Sequence, residues 1–494
     1  MPTGPDEKLG KKQLLEKIAV EAMSTRGLDP EFPPEGLKQL DTLLEPRREL
    51  EKSLPDLTSL LWCSIDNDDS HDLDQLSVGE KLANGHTRLW VAVADVDALV
   101  KIQTPLDLHA RKNTTSVYTG IRTFPMLPEK LSTDLTSLNE NEDRVAIVVE
   151  MEIDGDGRVC DSKVYRAWVR NKAKLTYNGV GAWLEGQGSL PQAASKVQGM
   201  DGQLRLQDSA AQRMRNRRHE LGALELETLQ PRPVTLDGEV VDLTHELKNR
   251  AGELIEDFMI AANGVTARFL SQKGFATLRR VVKTPRRWDR IVELAKGLGE
   301  VLPADPDSKA LSEMLSRQRK KNPLRFPDLS LMVVKLLGRG EYVMEAPGQA
   351  PLGHFGLAVR DYNHSTAPNR RYPDLITHRL LKAAMSGHEP VYGEKELREL
   401  AIHCTQQEDA ADKVERQVRK SASAAFLSNR IGKYFEAIVT GASEKGTWIR
   451  VLKPPVEGKL LEGEKKLDVG DRVRVKLISV NIERGWIDFV VTPG

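Results

Sequence analysis

The sequence predicts an α+β protein with a large central domain and a small β-barrel after it, and three patterns carry that reading. From about residue 55, the runs SLLWCSID, TRLWVAVADV and RVAIVVEMEID are rich in β-branched and aromatic residues, as strands are. Farther along, ELKNRAGELIEDFMIAANGVTARFLSQKG (246–274) and AADKVERQVRKSASAAFLSNRIGK (410–433) carry apolar residues at helical spacing. Beyond residue 429, short β-rich runs alternate with turns at SEKG, GEKKLDVGD and NIERG. That span suits a five-stranded closed barrel of the OB type, in which closure removes exposed sheet edges. A chain of 494 residues also exceeds the roughly 250–300 at which single cores stop growing.

Taken in order, residues 1–53 come first. KKQLLEKIAVEAMSTRG places Leu14, Leu15, Ile18, Ala19 and Ala22 on one helical face, and GLKQLDTLL (36–44) follows the pair Pro33 and Pro34. They predict a small helical domain, with winged-helix and helix-turn-helix arrangements as open forms and nucleic-acid binding as its use. Residues 54–428 then form the large domain, in which DGDG joins two strands as a hairpin turn. Residues 429–494 form the barrel. Within it Phe435 and Trp448 read either as core aromatics or as a base-stacking face beside Lys445, Arg450 and Lys453.

Composition excludes several classes of function. The chain holds 72 basic and 72 acidic residues and has zero formal net charge, so only distribution can point to nucleic acid. Basic clusters stand at 213–220, 279–290 and 316–326. Three cysteines with no CxxC spacing argue against a cysteine zinc cluster and for a reduced, cytoplasmic setting. No secretory or membrane-spanning pattern is expected, and a glycine-rich nucleotide loop is absent.

Two clusters carry chemistry. SIDNDDSHDLDQLS gathers Asp66, Asp68, Asp69, Asp72 and Asp74. A calcium loop needs glycine at its sixth position and glutamate at its twelfth, where this stretch has His71 and Ser77. Leu73 and Leu76 draw part of the run into the fold, and aspartates crowded there need cations to offset their repulsion. Oxygen-only ligands suit magnesium, with manganese also compatible. The second cluster, HFGLAVRDYNHSTAPNRRYPDLITHRLL, sets Arg370 and Arg371 after a proline turn and before a helix, a position suited to gripping a phosphate. A purely structural role for these arginines is the alternative. His364 and His378 lack a third ligand at zinc spacing and read as packing residues.

These stretches, with TSVYTGIRTFPMLPEKLS between them, resemble the ribonuclease II and ribonuclease R (RNB) family of 3′-to-5′ exoribonucleases, in the family's order over about residues 55–425. The resemblance implies an RNB-type catalytic domain and hydrolysis of single-stranded RNA, or RNA with an accessible 3′ end, to nucleoside 5′-monophosphates with Mg2+. It implies metal ligation by Asp66, Asp72 and Asp74, catalytic roles for Asp74, Arg370 and Glu415, and RNA contacts from Arg371, Tyr372, Trp448 and Arg450, with a structural role as the alternative for Tyr372. No membrane association and no obligatory protein partner are expected. Two departures stand out. Gln75 occupies the place of a second adjacent aspartate and joins the metal set as a neutral oxygen donor, and the first 50 residues are too short for the family's paired cold-shock barrels. Gln75 keeps a second reading open, an RNA-binding protein of the same fold with weakened or lost catalysis.

Overall fold

The computed structural model describes residues 10–44, 51, 53–227, 232–236, 239–244, 248–443, 446–462, 467 and 469–492. Its centre is a six-stranded sheet in the order Val159–Arg170, Asp143–Ile153, Thr87–Ala94, Gln75–Lys81, Cys63–Asp66 and Ala173–Thr176. Neighbours run antiparallel except the last pair, where Cys63 stands beside Ala173 and Asp66 beside Thr176 in parallel. The strand Thr87–Ala94 is buried at seven of its eight positions, so TRLWVAVA reads as a nearly unbroken apolar run. The edge strand Val159–Arg170 is polar and exposed in its first half, which discourages pairing with another chain.

Helices Met200–Glu220, Arg250–Gln272 and Tyr372–Ser386 cover the sheet, and Leu204, Phe258, Leu270, Leu375 and Leu380 join Val91 and Val148 in one buried cluster. Each such side chain contributes about 1.5–3 kcal/mol by leaving water. The 23-residue helix Arg250–Gln272 starts where Asn249 accepts the Gly252 N–H at 2.9 Å, a cap of about 1 kcal/mol.

The two N-terminal helices, Lys11–Thr25 and Pro34–Thr42, do not enclose a core of their own among the described residues. Ala19, Ala22, Met23 and Leu28 pack with Val117, Phe124, Ala411, Val414 and Val418. Leu15 and Ile18 pack with Ala422 and Ala425, and Leu40 enters the main cluster. The segment is thus a layer on the central unit. No strand is found among its described residues.

The 34-residue helix Glu394–Leu427 leads to the last part, a closed barrel of Tyr434–Ser443, Gly446–Val451, Glu457–Glu462, Trp486–Val491 and Arg472–Asn481. Val439, Ile449, Leu460, Val475, Leu477 and Phe489 fill it. Gly458 is required there, because a Cβ would come within 2.5 Å of the Phe489 ring. Phe435 packs edge-on against Phe489 at 6.2 Å and is a core aromatic, whereas Trp448 is exposed. Lys445 and parts of the SEKG and GEKKLDVGD turns lie outside the described residues.

Candidate active site

The acidic run crosses from the strand Cys63–Asp66 to the strand Gln75–Lys81 without regular structure. Backbone bonds fix its last residues. The Leu73 N–H donates to Ser137 Oγ at 3.0 Å, the Leu73 carbonyl accepts from Leu138, and the Asp74 carbonyl accepts from Ala94. Leu73 is buried, so alternation along the extended segment sends Asp72 and Asp74 to its other side. Asp66, Asp72 and Gln75 are half-buried, while Asp74 is 3 % exposed.

The TAPNRRY segment supplies the opposite wall. Asp374, at the start of the helix Tyr372–Ser386, accepts from the Ala367 N–H and from Arg371 Nη2, both at 2.8 Å, which fixes the turn before the helix. The Arg370 carbonyl accepts from the Ser116 N–H at 3.0 Å, and the Tyr372 N–H donates to the Thr114 carbonyl at 2.8 Å. The TSVY segment and the arginine pair therefore form one backbone unit. From it Arg370 Nε reaches Asp74 Oδ2 at 3.2 Å, across 296 residues of sequence, and the Arg370 side chain remains 42 % exposed. Glu415, on the helix Glu394–Leu427, accepts the Tyr118 N–H at 2.9 Å.

Electrostatics show why a cation suits this place. Burial pushes the Asp74 carboxyl up to about 7; Arg370 opposes the rise, and the carboxylates of Asp72 and Asp66 add to it. Burial also raises Asp66, with Asp72 contributing. Asp74 Oδ1 is buried with no hydrogen-bond partner. An all-oxygen set with an orphaned buried acceptor and mutual repulsion fits a hard divalent cation. The ligand oxygens of Asp66, Asp72 and Asp74 do not all lie within 4.8 Å of one another. Gln75 adds no further charge to a cluster that already repels itself.

Three expected RNA contacts need correction or refinement. Tyr372 is fully buried, with its hydroxyl donating to Asp107 Oδ1 at 3.1 Å in a network with Arg379, so it supports the arginine segment from beneath and cannot touch RNA. Arg450 is buried too. Its Nη1 and Nη2 donate to the two oxygens of Asp328 at 2.7 and 3.2 Å, which ties the barrel to the helix Phe326–Leu337. Arg371 is held by Asp374 and Thr366, with a fifth of its side chain exposed. Trp448 is open to solvent, with Lys459 Nζ 6.0 Å from its ring centre. Several arginines of the basic clusters are ion-paired, Arg215 with Glu253, Arg218 with Asp257 and Arg317 with Glu300. His378 is buried against the Ser365 carbonyl, and the half-buried His364 ring meets the Tyr342 hydroxyl.

Tyr118 is the residue that sequence reasoning missed. It is 43 % exposed, yet its surroundings desolvate the hydroxyl and raise its pKa, and the charges of Arg370, Asp72 and Asp74 all bear on it. An aromatic ring accessible to solvent but close to those groups can stack on a base held at the site. The available signal was the tyrosine closing the TSVY motif. On the barrel, Tyr434 and Trp486 are likewise exposed beside Arg474 and Arg484.

Comparison with known proteins gives the family. The RNB domain model matches residues 55–387, and the model of the RNase II-type exonuclease C-terminal S1 domain matches residues 433–492. Ribonuclease R of Aquifex aeolicus is 31% identical over an alignment covering 96% of this chain and 70% of the relative. Among solved structures, Mycoplasma genitalium RNase R in complex with ribose-methylated single-stranded RNA matches with a TM-score of 0.87 and 23% identity, over 97% of this chain and 78% of that one. Yeast Ssd1, described as a pseudonuclease, matches with a TM-score of 0.70 and 18% identity, over 96% of this chain and 57% of that one. From its acidic loop to its terminal barrel, the chain belongs to the RNB family of ribonuclease II- and ribonuclease R-type exoribonucleases.

Proposed function

We propose that this enzyme hydrolyses single-stranded RNA from its 3′ end and releases nucleoside 5′-monophosphates with the help of Mg2+. The observation that carries the reading is the meeting of Arg370 with Asp74 beside the unpartnered Asp74 Oδ1. Water adds across the terminal phosphodiester and the P–O3′ bond breaks, so the shortened strand keeps a 3′-hydroxyl. Asp66, Asp72 and Asp74, with the neutral side-chain oxygen of Gln75, would hold Mg2+ or Mn2+; when bound, such a cation supplies charge neutralisation and a more acidic water. Arg370 offsets charge on the scissile phosphate through guanidinium hydrogen bonds. Tyr118 stacks on the terminal base, and Glu415 holds the Tyr118 backbone in place. Arg371, through its exposed part, and Trp448 on the barrel serve the incoming strand.

Gln75 favours a second reading, an RNA-binding protein without catalysis, and the likeness to Ssd1 extends to the same fold. One experiment separates them: incubation of the full chain with single-stranded RNA or matching DNA, in Mg2+ or in a chelator. Mononucleotides released from RNA in Mg2+ alone are expected. Tight RNA binding without products would replace the hydrolytic reading with the binding one. Among the described residues no helix is long and apolar enough to cross a membrane.

A further inference from the structure

Away from Asp74, at the other end of the central sheet, three side chains with metal-ligating atoms converge. His86 ends the turn that precedes the strand Thr87–Ala94, Glu152 stands near the end of Asp143–Ile153, and Cys160 near the start of Val159–Arg170. His86 Nδ1 lies 2.7 Å from Glu152 Oε1 and 3.8 Å from Cys160 Sγ. One ligand atom from each residue lies within 4.8 Å of the other two, which no other His, Cys, Asp or Glu triplet achieves among the described residues.

The backbone builds this convergence. Glu152 pairs with Asp161 and Ile153 with Val159, so Cys160 is the extra residue of a β-bulge. Bulges re-aim side chains, and this one brings Sγ within 3.2 Å of the Glu152 carbonyl oxygen. Asn84 Nδ2 donates to Glu152 Oε1 at 3.0 Å and orients the carboxylate from outside, as second-sphere groups do around metals. The His86 and Glu152 side chains are 31 % and 23 % exposed and Cys160 is exposed, so an ion can enter from solvent and keep a water as its fourth ligand.

We propose that His86, Glu152 and Cys160 form a three-ligand site for zinc or a similar borderline divalent cation, which clips the turn at 82–86 to the hairpin at 153–159. A nitrogen, a thiolate and a carboxylate are the donors such ions take. Tetrahedral zinc with bonds of about 2.0–2.3 Å places ligand atoms about 3.3–3.6 Å apart. The His86–Cys160 separation is already near that edge, and the shorter His86–Glu152 contact opens by about 0.6 Å as the cation replaces a hydrogen bond. The site is distinct from the acidic one. The strand Gln75–Lys81 alone, at about 3.3 Å per residue, puts about 20 Å between them. A thiol must lose its proton to ligate a cation, so the affinity increases with pH.

The test is a Co2+ titration of the full chain after chelator treatment, read by the near-ultraviolet thiolate-to-cobalt charge-transfer absorption. One equivalent should develop the band in the wild type and in Asp74→Asn, whereas Cys160→Ser should abolish it and His86→Ala should weaken binding at least tenfold. Zn2+ should bleach the band and raise the melting temperature of the wild type by more than that of Cys160→Ser. Circular dichroism and metal-free melting of both variants match the wild type if the loss is of the site and not of the fold. A wild-type titration with no thiolate band, or a band that survives Cys160→Ser, overturns the proposal.

Discussion

Replacing Asp74 by asparagine should stabilise the metal-free enzyme while abolishing hydrolysis, and the gain should depend on pH. The folded state carries this carboxyl from 3.8 to about 7, mainly by burial, with Arg370 already opposing the shift. A folded pKa above the unfolded one means that the folded chain binds the proton more readily, so stability falls as pH rises between the two values. At ~1.36 kcal/mol per pH unit, keeping this carboxyl in the fold costs about 4 kcal/mol at pH 8, where it is ionised, and about 2 kcal/mol at pH 5, where it must take up a proton. The substituted amide, never ionised, escapes both costs. For a chain of 494 residues unfolding as one unit, the entropy near the midpoint is about 1 kcal/mol/K. Asp74→Asn in EDTA should therefore melt ~4 °C above the wild type at pH 8 and ~1–2 °C above it at pH 5. Differential scanning calorimetry at the two pH values measures this. An equal gain at both, or a lower melting temperature for the variant at pH 8, would refute the idea that Asp74 is held in a place costly for its charge.

Arg370→Ala should lower kcat by about 10²–10³ with little change in RNA affinity, because its guanidinium acts on charge that develops during cleavage; a proportionate loss of binding would count against that. Gln75→Asp adds a fourth carboxylate, so the metal-free melting temperature should fall and the Mg2+ concentration for half-maximal hydrolysis should drop about tenfold, ~1.4 kcal/mol; an unchanged Mg2+ requirement would place residue 75 outside the metal set. Arg450→Met leaves Asp328 buried without its partner at a cost of about 3–5 kcal/mol, read by urea unfolding, while Asp328→Leu combined with Arg450→Met should recover most of it. Tyr118→Ala should weaken binding of a non-hydrolysable RNA by about 1–3 kcal/mol if the ring stacks on a base; undiminished affinity would exclude the stacking role.

What could be read from the letters follows a physical line. Four of the six sheet strands, though not Gln75–Lys81 or Ala173–Thr176, declare themselves through apolar and β-branched runs, as do the long helices and the barrel, and the HDLDQ and TAPNRRYP runs carry their chemistry at short range. Partners far apart in sequence do not. Arg450 shares the outer face of its strand with Trp448, and alternation alone makes both look exposed; only the helix holding Asp328 covers one of them. Tyr372 sits inside a phosphate-gripping motif, yet its hydroxyl meets Asp107 from 265 residues earlier. The helical face of Leu15, Ile18, Ala19 and Ala22 announces burial without naming the surface that covers it, which proves to be the helix Glu394–Leu427 and the Val117–Phe124 region. The ion pairs of the basic clusters, such as Arg218 with Asp257, are hidden in the same way.

The helix Glu394–Leu427 also works as a ruler. It meets the Tyr118 backbone through Glu415 and packs into the barrel's core cluster through Ala424 and Leu427. The twelve residues from Glu415 to Leu427 rise about 18 Å at ~1.5 Å each. That length equals roughly five nucleotides stacked at ~3.4 Å per step. For the activity proposed above, an RNA shorter than this loses its hold on the barrel before its last bonds are cut. On that proposal, with the strand running beside the helix, its rigid spacing would set the oligonucleotide length at which sustained digestion gives way to release.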